Sequence, residues 1–114
     1  VSSRALSGLD IEGEHLREPW LIMRELGFHL QANRSAWSTG LALVHLDRPD
    51  DALHFFGWLK THPIWTSRYL RLDRVREEVP RAAELYEAAP PVTCSFDELA
   101  DTALRIADDL DRPR

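Results

Sequence analysis

The sequence predicts an all-α domain of five to six helices, built from antiparallel helical hairpins. Three observations carry this. Apolar residues recur at three- and four-residue spacing through successive segments. No run alternates apolar and polar residues, and the Asn-Gly or Asp-Gly pairs that turn β-hairpins are missing. In SAWSTGLALVHLDRPDDALHFFGWLKTHP, residues 35–63, Asp47-Arg48-Pro49 separates two apolar-patterned stretches. Proline suits the first position of the second stretch, where a helix has no use for its N–H.

Taken in order, residues 1–13 hold serines and glycines with few apolar anchors, which predicts a flexible lead-in. A single helical domain is expected over residues 14–110. Its first helix is predicted from Pro19 to Ala32, with Glu14–Glu18 a preceding turn or frayed start and Asn33 ending it in a left-handed conformation. Trp20, Met23, Leu26 and Leu30 line one side, and Leu21, Ile22 and Phe28 another, the pattern of a helix at the centre of a fold. The second and third helices run from Ser35 to Leu46 and from Pro49 to Thr61. Gly40 and Ala52 let them approach closely, with Leu41, Leu43, Val44 and Leu46 facing Leu53, Phe56 and Leu59. A fourth helix is expected from Ile64 to Val79 on the stripe Trp65, Tyr69, Leu72, Val75 and Val79. Pro80 ends it or kinks it into a fifth helix reaching Ala89. After Pro90-Pro91, Ser95 and Glu98 have capping-box spacing and open a last helix from Phe96 to Leu110. Phe96, Leu99, Ala100, Ala103, Leu104, Ala107 and Leu110 turn inward, and residues 111–114 form a polar tail.

The totals bound the function. A chain of 114 residues is one domain by length and buries roughly two-thirds of its unfolded surface. A net charge of −5 argues against nucleic acid as a general partner. The single cysteine, Cys94, allows no internal disulfide, which fits a reducing, cytoplasmic setting. No apolar run has the roughly 18 residues of a membrane span, and the first residues have no apolar centre of a secretory leader.

The central pair resembles a tetratricopeptide repeat. Gly40, Ala52, Phe56 and Pro63 stand where that family places a glycine, a small residue, a large aromatic and a closing proline. Ala82, Tyr86 and Ala89 echo the spacing 30 residues on, against a family period of about 34. Thr39 in place of a leucine, Leu59 in place of a small residue and Arg71 in place of a glycine depart from the pattern. The resemblance covers residues 35–91 as one good unit and one degenerate one. It implies a short α-solenoid or bundle that binds a protein or peptide, as helical segments of bacterial regulators and assembly factors do.

Candidate chemistry is sparse. None of His15, His29, His45, His54 and His62 has zinc-hydrolase spacing, and no metal or other cofactor is expected. His45 and His54 on facing helices, with Asp50 one turn before His54, define an enzyme alternative; the bland reading is surface histidines. Cys94 near a helix start is read either as a low-pKa thiol or as a small apolar filler, and the filler fits better. Arg68, Arg71, Arg74, Arg76 and Arg81 interleave with Trp65 and Tyr69. ALHFFGWLKTHP also looks like a pentatricopeptide RNA-binding repeat, so RNA binding is a second alternative. Against it stand Asp73, Glu77, Glu78 and Glu84, with Arg74 and Glu78 spaced as a helical ion pair. Four tryptophans are many for this length, and Trp37 and Trp58 are not both easily enclosed. The sequence reading is therefore a non-catalytic protein–protein interaction scaffold. Its contact surface is Trp37, Trp58 and the Arg68, Arg71, Arg74 face, and its partner is a protein, a peptide or a second copy of the chain.

Overall fold

A computed structural model of the chain describes residues 13–27, 32–62, 68 and 70–111, and within them six helices and no strand. They are α1 (Gly13–Leu26), α2 (Ala32–His45), α3 (Pro49–Leu59), α4 (Leu72–Glu78), α5 (Pro80–Ala88) and α6 (Phe96–Asp111). The predicted lead-in, apart from Gly13, lies outside the described residues, as do Trp65, Tyr69 and residues 112–114 of the predicted tail.

The hairpin α2–α3 forms as the sequence predicts, and its turn shows why. Asp47 adopts φ 59°, the left-handed region that aspartate tolerates better than most side chains. The Arg48 N–H donates to Leu43 O at 2.9 Å and the Asp47 N–H to Val44 O at 3.1 Å, the paired bonds that close a helix C-terminus. Pro49 then opens α3 at its first position. The Arg48 side chain ties the turn down, donating to Asp51 at 2.8 Å and across to Asp109 of α6 at 2.9 Å.

Inside the hairpin the close approach is between a ring and a backbone. A Cβ added to Gly40 would stand 2.8 and 2.9 Å from Phe56 Cδ1 and Cζ, and closer still to Cε1. Phe56, Ala52 and Leu43 have no exposed surface. Adjacent aromatics on α3 serve opposite sides. Phe56 stacks with Trp37 of α2 (5.1 Å between centroids) and Tyr86 of α5 (6.1 Å). Phe55 meets Trp20 of α1 at 5.9 Å, and Trp20 in turn meets Phe96 of α6 at 5.8 Å. The hairpin is thus flanked by α1 and α6 on one side and by α5 on the other, with α4 packed on α5.

That arrangement makes α3 the central helix; ALHFFGWL is apolar nearly all round, and Phe55, Phe56, Gly57, Trp58 and Leu59 are all buried. The expectation that the first helix is central is corrected: Leu21, Ile22 and Leu26 are 43%, 47% and 70% exposed. Its boundaries also differ. α1 begins at Gly13 and carries Pro19 in its interior, at the cost of one backbone hydrogen bond. Leu16, buried in the core, and Arg17, paired to α6, hold the turn before the proline in place. α1 ends at Leu26, with Gly27 following it at φ 63°, and Asn33 lies inside α2.

Of the predicted fourth helix, Arg68 is helical and α4 covers Leu72–Glu78, but Leu70 and Arg71 between them are non-helical, Arg71 at φ −93°, ψ 81°. Val79, at φ −137°, breaks the chain before Pro80 opens α5, as the proline predicts. The link after α5 lies along α3: the Val92 N–H donates to Gly57 O at 3.0 Å, and Lys60 Nζ donates to the Glu87 and Ala89 carbonyls, both at 2.8 Å. α6 opens on the reciprocal bonds between Ser95 and Glu98, each 3.2 Å. It buries Leu99, Ala100, Ala103, Ile106 and Ala107; Ile106 joins the inward face the sequence reading drew, and Asp111 ends the helix instead of starting a tail.

Candidate interaction surface

The first helix is two-faced. Leu16, Trp20 and Met23, spaced four and three apart, enter the core. Trp20 is anchored further: its indole N–H donates to Thr39 Oγ1 at 3.0 Å in a buried site. Arg17 and Arg24 lie along the edge that meets α6. Arg17 donates to Asp108 at 3.1 Å and to Asp111 at 2.6 Å, and Arg24 donates to Asp101 at 2.5 Å and to the Asp97 carbonyl at 3.1 Å. Hydrogen bonding to Asp111 and Asp108 raises the Arg17 pKa, and hydrogen bonding to Asp101 raises that of Arg24. Both arginines are committed to α6.

The opposite face carries three glutamates. Glu14, Glu18 and Glu25 are exposed and have no ion-pair partner among the described residues. At 3.6 residues per turn they form one ridge, with Leu21 and Ile22 on either side of it. Together with Arg17 and Asp111 they line a groove of about 580 Å³. Exposed large aliphatic groups beside carboxylates that have no ion-pair partner among the described residues are suited to contact with another polypeptide.

The residues singled out from the sequence are distributed differently. Trp58 is 5% exposed, so it does not serve as an exposed anchor; its indole N–H donates to the Cys94 carbonyl at 3.3 Å and its ring lies 4.1 Å from that of His62. The link after α5 lies against this side of α3, with Val92 bonded to Gly57 and the Cys94 carbonyl to Trp58. Trp37 is half-buried between Phe56 and Tyr86. Arg68, Arg71 and Arg74 are exposed as expected, Arg71 reaching Asp73 only at 3.9 Å. No ring contact or hydrogen bond among the described residues joins these arginines to either tryptophan. The Arg74–Glu78 pair does not form; Arg76 pairs with Glu87 of α5 instead.

His45 and His54 do not share a site. His54 lines a second groove, of about 540 Å³, with Cys94, Glu98, Thr102, Arg105 and Asp108, and neither His45 nor Asp50 lines it. Burial, and then the nearby Arg105 charge, lower the His54 pKa from 6.5, while Asp51 opposes them more weakly. The Cys94 thiol is pushed up, first by burial and then by Glu98, which is the opposite of an activated thiol. No group of three or more His, Cys, Asp or Glu among the described residues is arranged to hold a metal ion.

The His54 shift has a sign that can be checked. Its folded-state pKa lies below the unfolded value, so the unfolded chain binds the extra proton first. Its contribution is complete above the unfolded pKa of 6.5 and is lost as pH falls through that value toward the folded one. Thermal melts of wild type and His54→Gln at pH 7.5 and pH 5.5 are expected to show wild type losing more melting temperature on acidification than the variant does. Equal losses contradict the assignment.

The α1 face is what the sequence reading missed. The signal was present in Glu14, Glu18, Leu21, Ile22 and Glu25, which share one side only if the helix starts near Gly13. With Pro19 as the first residue, the two glutamates before it fall outside the helix and the face disappears. Compared with known proteins, the chain matches no family model, no curated protein and no solved structure. No helix among the described residues is long and apolar enough to cross a membrane.

Proposed function

We propose that the chain is a non-catalytic protein–protein interaction module, a tetratricopeptide-like helical scaffold of a regulator or assembly factor. The observation that carries this is the outer face of α1, where Leu21, Ile22 and Leu26 stand exposed beside carboxylates with no ion-pair partner among the described residues. The seating of Phe56 on Gly40, with Ala52 and Ala82 fully buried nearby, supports the repeat-like packing. The histidine alternative draws no support from His54, whose groove excludes His45. The RNA alternative loses a stacking platform with the burial of Trp58.

The test is a selection of displayed random peptides against the full chain, with Leu21→Ser/Ile22→Ser as the counter-target. Both positions are exposed, so the variant is expected to melt within about 0.5 kcal/mol of wild type for each substitution. Enriched peptides should lose about tenfold or more in affinity on the variant, the loss of a central anchor. A selection that enriches nothing, or peptides indifferent to the variant, contradicts the reading.

A further inference from the structure

The α1 face also specifies the chemistry of what binds it. From the positions of Glu14, Glu18, Leu21, Ile22 and Glu25, and from the commitment of Arg17 and Arg24 to α6, we infer that the partner is a cationic amphipathic helix of another polypeptide. This rests on the docking role proposed above and narrows it. Glu14 and Glu25 are eleven residues apart, about 16 Å along the axis, so a partner of three turns spans the ridge. Apolar side chains of that partner cover Leu21 and Ile22, and a Lys or Arg on each turn meets Glu14, Glu18 and Glu25. Such complementarity sets partner choice and speeds encounter more than it adds affinity.

The same charges disfavour a second copy on this face. Two α1 helices packed antiparallel about Ile22 bring Glu18 of each beside Glu25 of the other, and parallel packing sets each glutamate beside itself. Like charges facing each other oppose that contact.

Two 18-residue helical peptides with the same leucine face, one carrying lysine and the other glutamate on the polar face, are titrated into the full chain and followed by fluorescence anisotropy. The lysine peptide is expected to bind about tenfold or more tightly than the glutamate peptide at low salt, with the gap narrowing as salt screens the ridge. Glu14→Lys/Glu18→Lys/Glu25→Lys is expected to invert the preference, and Leu21→Ser/Ile22→Ser to weaken the lysine peptide about tenfold or more. Equal affinity for both peptides, still lost in the serine variant, overturns the cationic partner while leaving the docking face. Binding of neither peptide overturns the inference, and the charge-blind display selection then judges the broader role separately. Self-association abolished by Arg71→Glu/Arg74→Glu overturns it in favour of a second copy.

Discussion

Adding a methyl group at Gly40 is expected to change sign with the residue at position 56. In the wild-type background Gly40→Ala drives a Cβ into the Phe56 ring, which is fully buried and flanked by Trp37 and Tyr86. Overpacking of this kind costs about 1–3 kcal/mol, against which the better helix propensity of alanine returns less than about 1. Phe56→Ala alone removes a ring held against Gly40, Trp37 and Tyr86, and is expected to cost about 3–5 kcal/mol. In that cavity the alanine at 40 is relieved of the three closest contacts, all of them to the Phe56 ring, so the second substitution is expected to be neutral or stabilising. Denaturant unfolding of the four proteins measures this. Additivity within about 0.5 kcal/mol would mean that the two positions do not touch in the folded chain.

Trp20→Ala is expected to be as severe, about 3–5 kcal/mol, against a typical domain stability of about 5–15. Three losses coincide. The indole has no exposed surface, so its removal leaves a large void between α1, α3 and α6. The rings of Phe55 and Phe96 lose their shared neighbour. Thr39 Oγ1, in a residue only 3% exposed, loses its donor. Trp20→Phe separates these effects by keeping much of the volume and deleting the hydrogen bond, with an expected cost of about 1–3 kcal/mol. A Trp20→Ala protein that unfolds within 1 kcal/mol of wild type by circular dichroism would show that α1 is not docked through this residue.

How much of this was legible depends on the range of the interactions concerned. The α2–α3 turn could be read because its signals are local: a residue tolerant of the left-handed region, then proline at the first position of the next helix. The start of α6 was readable for the same reason, in Ser95 and Glu98. The start of α1 was not. Pro19 is a strong local signal, and it is overruled by Leu16 in the core and by Arg17 bridging to residues 108 and 111 at the far end of the chain. Trp58 was misplaced for a similar reason. Its cover is an extended link held by Val92 on Gly57 and by Lys60 on two carbonyls, and no helical periodicity encodes that contact. The exposed face of α1 then went unseen, because its glutamates and aliphatic residues share one side only once the first turn of the helix is in place.

The most direct test of α1 as the docking helix is a backbone amide NMR titration of the full chain with the leucine–lysine peptide. Shifts are expected to concentrate on residues 14–26 and on the end of α6 near Asp111, which lines the same groove. Shifts centred instead on Arg71, Arg74 and α5, with α1 silent, would contradict docking on α1.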